Sequence, residues 1–222
     1  NLGWKLAAVV KGQARASLLD SYELERRPIG LRNTAYAREF ADSVGLLEAT
    51  PELETEGTEG DRHRALAGTA LNAHVRREFN IPGVTFGERC DASPLVFSEP
   101  ASVPPDQANE YSPTTVPGGR LPHRWLAGER SLYDLLGFEW TVLAPEHLNG
   151  AAQALANAGT ATGLSVQVLA LPADAVAGLL DDGMLVVRPD QVIAWRGITA
   201  PEPTAIWTRV AAAITRPGCL PP

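Results

Sequence analysis

With 222 residues, 45% hydrophobic and 20% charged, and a mean hydropathy near zero, the sequence has enough apolar content to bury a core in one or two domains, two being the working count. It lacks the charge-rich, apolar-poor composition of a disordered chain. A net charge of −7 argues against a nucleic-acid-binding domain, which needs a basic face to release counterions, and no run approaches the roughly 18 to 20 apolar residues of a membrane helix.

In chain order, the first element is a helix: Leu2, Leu6, Val9 and Val10 recur at helical spacing beside Trp4, and Gly12 is a plausible end. The pattern begins without a cap or lead-in, which reads as truncation. The apolar run Leu6 to Val10 has no basic segment before it and no convincing small-residue cleavage site after it, so the expectation is a mature cytoplasmic protein. Asp20 and Glu23 have capping-box spacing, and Glu23 and Arg27 sit at i, i+4. Pro28 then ends or kinks this helix, or starts the next one, whose inner stripe is Ala35, Phe40, Val44 and Leu47. Thr50 to Gly60 reads as a solvated acidic loop. Asp61 to Phe79 is helical again, with Leu71, Val75 and Phe79 on one face, and Pro82-Gly83 stops it. Val84 to Phe86 and Pro94 to Phe97 have the composition of two short paired strands.

Residues Glu99 to Pro122 hold so many prolines and glycines that they read as a linker. Beyond it, strands and helices alternate: a short helix Ser131 to Leu136, a strand Phe138 to Ala144, a helix Asn149 to Gly159 and a strand Val166 to Leu171. A helix Ala173 to Leu180 comes next, then a hairpin of Met184 to Arg188 with Val192 to Trp195 around Pro189-Asp190, and a helix Thr204 to Ile214. The order βαβα then ββα is that of a thioredoxin-like sheet.

Cys90 and Cys219 form neither a CxxC pair nor a zinc-ligand spacing and read as structural or incidental thiols. His63, His74, His123 and His147 lack a partner at metal-ligand spacing. Arg26-Arg27 and Arg76-Arg77, beside Glu23, Glu25 and Glu78, read as ion-paired surface. Trp125, Trp140, Trp195 and Trp207 are expected as core or interface anchors.

Three stretches carry a resemblance. The first is Asn1-Leu2-Gly3-Trp4-Lys5-Leu6-Ala7-Ala8-Val9-Val10 with Leu19-Asp20-Ser21-Tyr22-Glu23-Leu24-Glu25-Arg26-Arg27-Pro28. The second is Pro117-Gly118-Gly119-Arg120-Leu121-Pro122-His123, and the third Leu185-Val186-Val187-Arg188-Pro189-Asp190-Gln191-Val192-Ile193-Ala194-Trp195-Arg196. In order and content they resemble the single-component FAD-dependent aromatic hydroxylases related to phenol and polyketide hydroxylases. The first is similar to the segment after that family's second flavin-contacting motif, the second to the entry of its C-terminal domain, and the third to the hairpin near its end.

The resemblance implies an α/β chain in which the helical remainder of a flavin-monooxygenase domain, residues 1–98, precedes a linker, 99–122, and a thioredoxin-like domain without CxxC, 123–222. It implies FAD and NAD(P)H as cofactors and a flavin C4a-hydroperoxide that oxidises a bulky aromatic natural product. It also implies an upstream FAD-binding segment, on the same or a complementing chain, and it is compatible with a homodimer. The family's GxGxxG fingerprint and Gly-Asp-Ala motif are absent from the sequence, so no catalytic or cofactor-binding residue carries over. Two substrate-side candidates remain. Glu88 is either an acceptor for a substrate N–H or O–H or a solvated carboxylate beside Arg89, and Phe86 is either a pocket wall or simple core. A second reading of the whole chain is a non-catalytic thioredoxin-like interaction or dimerisation module with a helical extension.

Overall fold

The apolar opening run forms α1 (Leu2–Val10), after which Lys11 caps the helix and Gly12 turns the chain at φ +71°. The computed structural model describes residues 1–44, 48–98, 103–180, 182–198 and 203–214. A 3-10 turn at Ala16–Leu19 leads into α2 (Asp20–Val44), which contains Pro28, so the proline neither ends the helix nor starts a new one. An interior proline forfeits one backbone hydrogen bond, at roughly 3 kcal/mol. Buried side chains at Ser21, Glu25 and Ile29, each one turn apart on the flanking helix, outweigh that local preference. Glu23 and Arg27 form the expected exposed pair at 3.6 Å.

Contacts divide the chain into two units. One comprises Asn1–Arg27, Arg89–Pro104 and Pro113–Pro222; the other comprises Pro28–Glu88 and Pro105–Ser112. This grouping is drawn differently from the expected division at 98 and 122, since the first helix belongs with the C-terminal sheet.

In the first unit four strands make a mixed sheet: β3 (Trp140–Pro145), β4 (Val166–Leu171), β5 (Met184–Val187) and β6 (Ile193–Gly197), in spatial order β4-β3-β5-β6. A separate two-residue pair, β1 (Trp125–Leu126) with β2 (Arg130–Ser131), precedes it. A crossover through α5 (Asn149–Ala161) makes β3 and β4 parallel, with Trp140 opposite Val166 and Pro145 opposite Leu171. β5 lies antiparallel to both β3 and β6. Side chains of β3 and β5 alternate between two cores. Trp140, Val142, Ala144, Met184 and Val186 enter one apolar core with α5, α6 (Pro203–Ile214), Leu18 and Trp207. Leu143, Leu185 and Val187 enter a second core with Leu121, Leu132, Val176 and Leu179. Two buried faces explain why β5 is an unbroken apolar run.

Ala173 to Leu180 is a succession of turns and no helix, because Gly178 sits at φ +71° and interrupts the helical path. Ser131 to Leu136 is a 3-10 turn at Leu132–Leu135, with Ser131 and Asp134 completing a capping box. The second half of the proline-rich stretch is packed: Val116 and Leu121 are buried, Gly118 N–H donates to Ile193 O at 2.8 Å, and Ile193 N–H donates to Gly119 O at 2.9 Å. At Gly118, φ is +96° and an added Cβ would stand 2.3 Å from Asp91 Oδ1, so any other residue would strain the backbone and displace the Asp91 carboxylate. Of its first part, residues 99–102 lie outside the described residues. Trp140, Trp195 and Trp207 are buried as expected, whereas Trp125 is exposed. Cys90 is buried and Cys219 lies outside the described residues.

The second unit contains the later part of α2, then α3 (Thr58–Phe79), α4 (Pro82–Phe86) and the segment 105–112. Val84 to Phe86 is therefore the end of a helix, Pro94-Leu95 is a turn and Val96-Phe97 has no regular structure; the expected strand pair does not form. Pro82 at the first helical position favours this turn, and the Gly83 and Val84 N–H groups donate to Ala108 O instead of a strand partner. Of the expected α2 stripe, Phe40 is buried and Ala35 exposed; the Val44 side chain and Leu47 lie outside the described residues. Leu71, Val75 and Phe79 share a helix face, as their spacing predicts, and that face is exposed. No described helix is long and apolar enough to cross a membrane.

Candidate functional site

α1 carries one charged side chain in its apolar middle, Lys5, and it is fully buried. Its ammonium donates to the Ser21 hydroxyl at 2.8 Å and to Glu25 Oε2 at 2.7 Å, both on the first turns of α2. Arg188, just after β5, forks onto the same carboxylate, Nη1 to Oε1 at 2.8 Å and Nη2 to Oε2 at 3.0 Å. The guanidinium also holds Asp190, Nε to Oδ1 at 3.0 Å and Nη2 to Oδ2 at 2.8 Å. Ser93 Oγ donates to Glu25 Oε1 at 2.6 Å. Asn1 Nδ2 donates to Glu25 Oε2 at 2.6 Å and to Asp190 Oδ2 at 2.9 Å.

Two cations thus face two carboxylates in a site that excludes water. Burial alone would raise the Glu25 carboxyl, but the hydrogen bonds and charge of Arg188, then the hydrogen bonds of Lys5 and Ser93, overcome it and hold the group at about 2. Burial lowers Lys5, with Glu25 opposing and the neighbouring Arg188 charge assisting. Arg188 is raised: burial opposes its charge, and Asp190 and Glu25 outweigh that. A carboxylate so fixed is a poor proton acceptor near neutral pH, so the cluster holds geometry instead of moving protons.

The sequence reading did not single out this cluster. Its signal was available: Lys5 interrupts an apolar helix, Glu25 continues the buried stripe of Ser21 and Ile29, and Arg188 ends the apolar run Leu185-Val186-Val187. Each is a charge at a core position, and together with Asp190 they cancel.

The residues singled out from sequence lie in the second unit. Phe86, in the last turn of α4, is 42% exposed, with its ring 5.7 Å from that of Tyr111 at 51°. It is therefore neither a strand residue nor core. Glu88 is half-buried instead of solvated, and its charge helps raise Arg32, after the larger effect of Asp106. Its neighbour Arg89 is engaged elsewhere, with Asp91 at 2.7 and 3.0 Å and with Pro117 O. Arg32 grips Asp106, Nη2 to Oδ1 at 2.6 Å, donates to Gly83 O at 2.8 Å, and lies 5.1 Å from the Tyr36 ring centre. Phe86 and Glu88 thus share a neighbourhood with Arg32, Tyr36, Asp106 and Tyr111.

An open, mostly apolar cavity of about 920 Å³ borders α1, between Trp4 and Ala8 on the helix and Phe138 and Leu164 on the sheet side. It offers shape and apolar burial, with Lys11 and Glu139 as the charged residues of its lining. Among the described residues no group of three or more His, Cys, Asp or Glu side chains could hold a metal. No described strand leads through a glycine-rich turn into a helix, and the Gly118-Gly119 pair is already bonded to β6.

Residues 114–217 match the family model described as aromatic-ring hydroxylase, C-terminal, and residues 1–37 match that of an FAD binding domain. The chain is 30% identical to phenol 2-monooxygenase of Pseudomonas sp. (strain EST1001), over 88% of its own length and 38% of that protein's. It is 34% identical to tetracenomycin A2 monooxygenase-dioxygenase of Streptomyces glaucescens, over 92% of the chain and 34% of the relative. Among solved structures, native and K252c-bound RebC-10x superposes with a TM-score of 0.85 at 32% identity, covering 96% of this chain and 40% of that one. The chain thus spans between about a third and two fifths of the length of these proteins and follows them through its helices as well as its sheet. Residues 114–217 belong to the aromatic-ring hydroxylase, C-terminal family, and the chain as a whole resembles the FAD-dependent aromatic-ring hydroxylases.

Proposed function

We propose that the chain acts as part of an FAD-dependent, NAD(P)H-using monooxygenase that hydroxylates or oxidises a bulky aromatic compound, together with an upstream FAD-binding segment on the same or a complementing polypeptide. The observation that carries this reading is the pairing, in one chain and in family order, of an FAD-binding segment at 1–37 with an aromatic-ring hydroxylase module at 114–217. In this reading a flavin C4a-hydroperoxide is the oxygen donor, chemistry that belongs to the cofactor; the protein supplies orientation and a dry pocket. Phe86 serves as an apolar wall of that pocket and Glu88 as an acceptor for a substrate N–H or O–H.

Residues 123–222 are read as a thioredoxin-like domain, which the β3-α5-β4 crossover, the β5-β6 hairpin and α6 support. Without a CxxC pair, that domain has no thiol redox work. The test is to produce the chain joined to its upstream FAD-binding segment. The expected product is yellow, and its NAD(P)H oxidation rises when a phenolic or polycyclic aromatic is added. Phe86→Ala and Glu88→Gln are expected to raise KM for the aromatic more than they lower kcat. A colourless, stably folded product that oxidises no NAD(P)H would defeat the reading.

A further inference from the structure

We propose that Arg188 and Glu25 are positioning residues: through their buried fork the aromatic-ring hydroxylase module fixes the segment matched to the FAD-binding family, and flavin affinity depends on a hairpin that holds no cofactor itself. The inference rests on the function proposed above. The cluster joins the two modules. Asn1, Lys5, Ser21 and Glu25 fall within residues 1–37, whereas Arg188 and Asp190 fall within 114–217. A buried ion pair adds little net stability over apolar residues of the same size, so its value here lies in fixing geometry.

The geometry points to α1 as the element being fixed. The helix is tied at Lys5, through Glu25, and at Asn1, through both Glu25 and Asp190. Four residues of α-helical rise separate these ties by about 6 Å, a little more than one turn. One tie would leave a helix free to rotate about the contact; two, a turn apart, resist both rotation and sliding. The Arg188 fork sets distance and angle together, since both carboxylate oxygens are engaged, and the guanidinium carbon lies 5.6 Å from the Trp4 ring centre between the ties.

The test uses the chain joined to its upstream FAD-binding segment. The double variant Lys5→Met/Glu25→Met removes one charge of each sign and leaves the Arg188–Asp190 fork intact, so the fold is expected to survive. Flavin affinity, read from the flavin fluorescence recovered on release, is expected to fall roughly tenfold, with a shift in the flavin visible spectrum. Arg188→Lys keeps the charge and loses the fork, and is expected to weaken flavin binding about threefold. A folded double variant with wild-type flavin affinity and spectrum overturns the proposal. Should the double variant not fold, wild-type affinity in Arg188→Lys does so instead. A wild-type protein that binds no flavin overturns the parent reading, and this proposal with it.

Discussion

Replacing Arg188 by methionine tests how the buried cluster is wired. Methionine fills much of the same space but withdraws both hydrogen bonds to Glu25 and both to Asp190. Glu25 keeps Lys5, Ser93 and Asn1, whereas Asp190 keeps only the Asn1 amide of the bonds described. Two carboxylates then share one ammonium in a site with 0% side-chain exposure at Lys5 and Glu25. Breaking a buried pair from one side leaves an uncompensated charge, and the expected loss is about 3–5 kcal/mol. Lys5→Met/Glu25→Met removes a neutral pair and is expected to cost less than about 2 kcal/mol, so the double change is milder than the single one. Urea denaturation followed by tryptophan emission reads this, because Trp4 packs beside the cluster. A loss below about 1 kcal/mol for Arg188→Met, the scale of an exposed ion pair, would refute the reasoning.

The pH dependence follows from Glu25. Its folded value of about 2 lies below the ordinary 4.5, so its stabilisation is complete above about pH 4.5 and is lost as pH falls towards 2. That amounts to about 3 kcal/mol. Glu25→Gln should flatten this acid limb, and an unchanged limb in urea titrations at pH 2 to 5 would assign it to other groups. Gly118→Ala should destabilise by more than about 2 kcal/mol, because the new methyl meets Asp91 Oδ1 at 2.3 Å in a left-handed backbone. Gly12→Ala is the control, also at positive φ but with nothing within 4 Å, and should cost about 1 kcal/mol. Gly159→Ala should cost about 1–3 kcal/mol, since its methyl would stand 2.7 Å from the Trp207 ring and 2.8 Å from Val166; equal thermal midpoints for variant and parent would show that the α5 packing yields.

Elements with a single strong period were legible in the sequence. α1, α5, β4 and the β5-β6 hairpin lie where spacing and turn residues put them, because their local preferences and their burial agree. The misreadings occur where the two disagree. Pro28 signals a break, yet flanking burial carries α2 through it. Val84 to Phe86 is apolar enough for a strand, but Pro82 sets a helical turn and Ala108 takes the N–H groups. Ala173 to Leu180 has the apolar content of a helix, and Gly178 turns it into a chain of turns. Phe86 and Glu88 were chosen by position and do fall in one neighbourhood. Arg32, Tyr36 and Asp106 escaped notice because their meeting depends on tertiary contacts 74 residues apart in sequence. The Lys5, Glu25 and Arg188 cluster was hidden for a related reason: beside other charges, each reads as surface, and only burial shows that they answer one another.

The packing of residues 116–121 along β6 has a practical consequence. β6 is the outermost strand of its sheet, and Ile193 spends both its backbone groups on Gly118 and Gly119. The flanking Pro117 and Pro122 have no N–H to offer a further strand. The segment that composition marks as a place to cut is thus a cover over an otherwise open strand edge. A C-terminal piece that begins after residue 121 would bare that edge to strand addition by a neighbouring molecule, whereas one that begins before residue 113 keeps the bonds at Ile193 and loses only the Phe97 N–H that donates to Ala194 O at 2.8 Å.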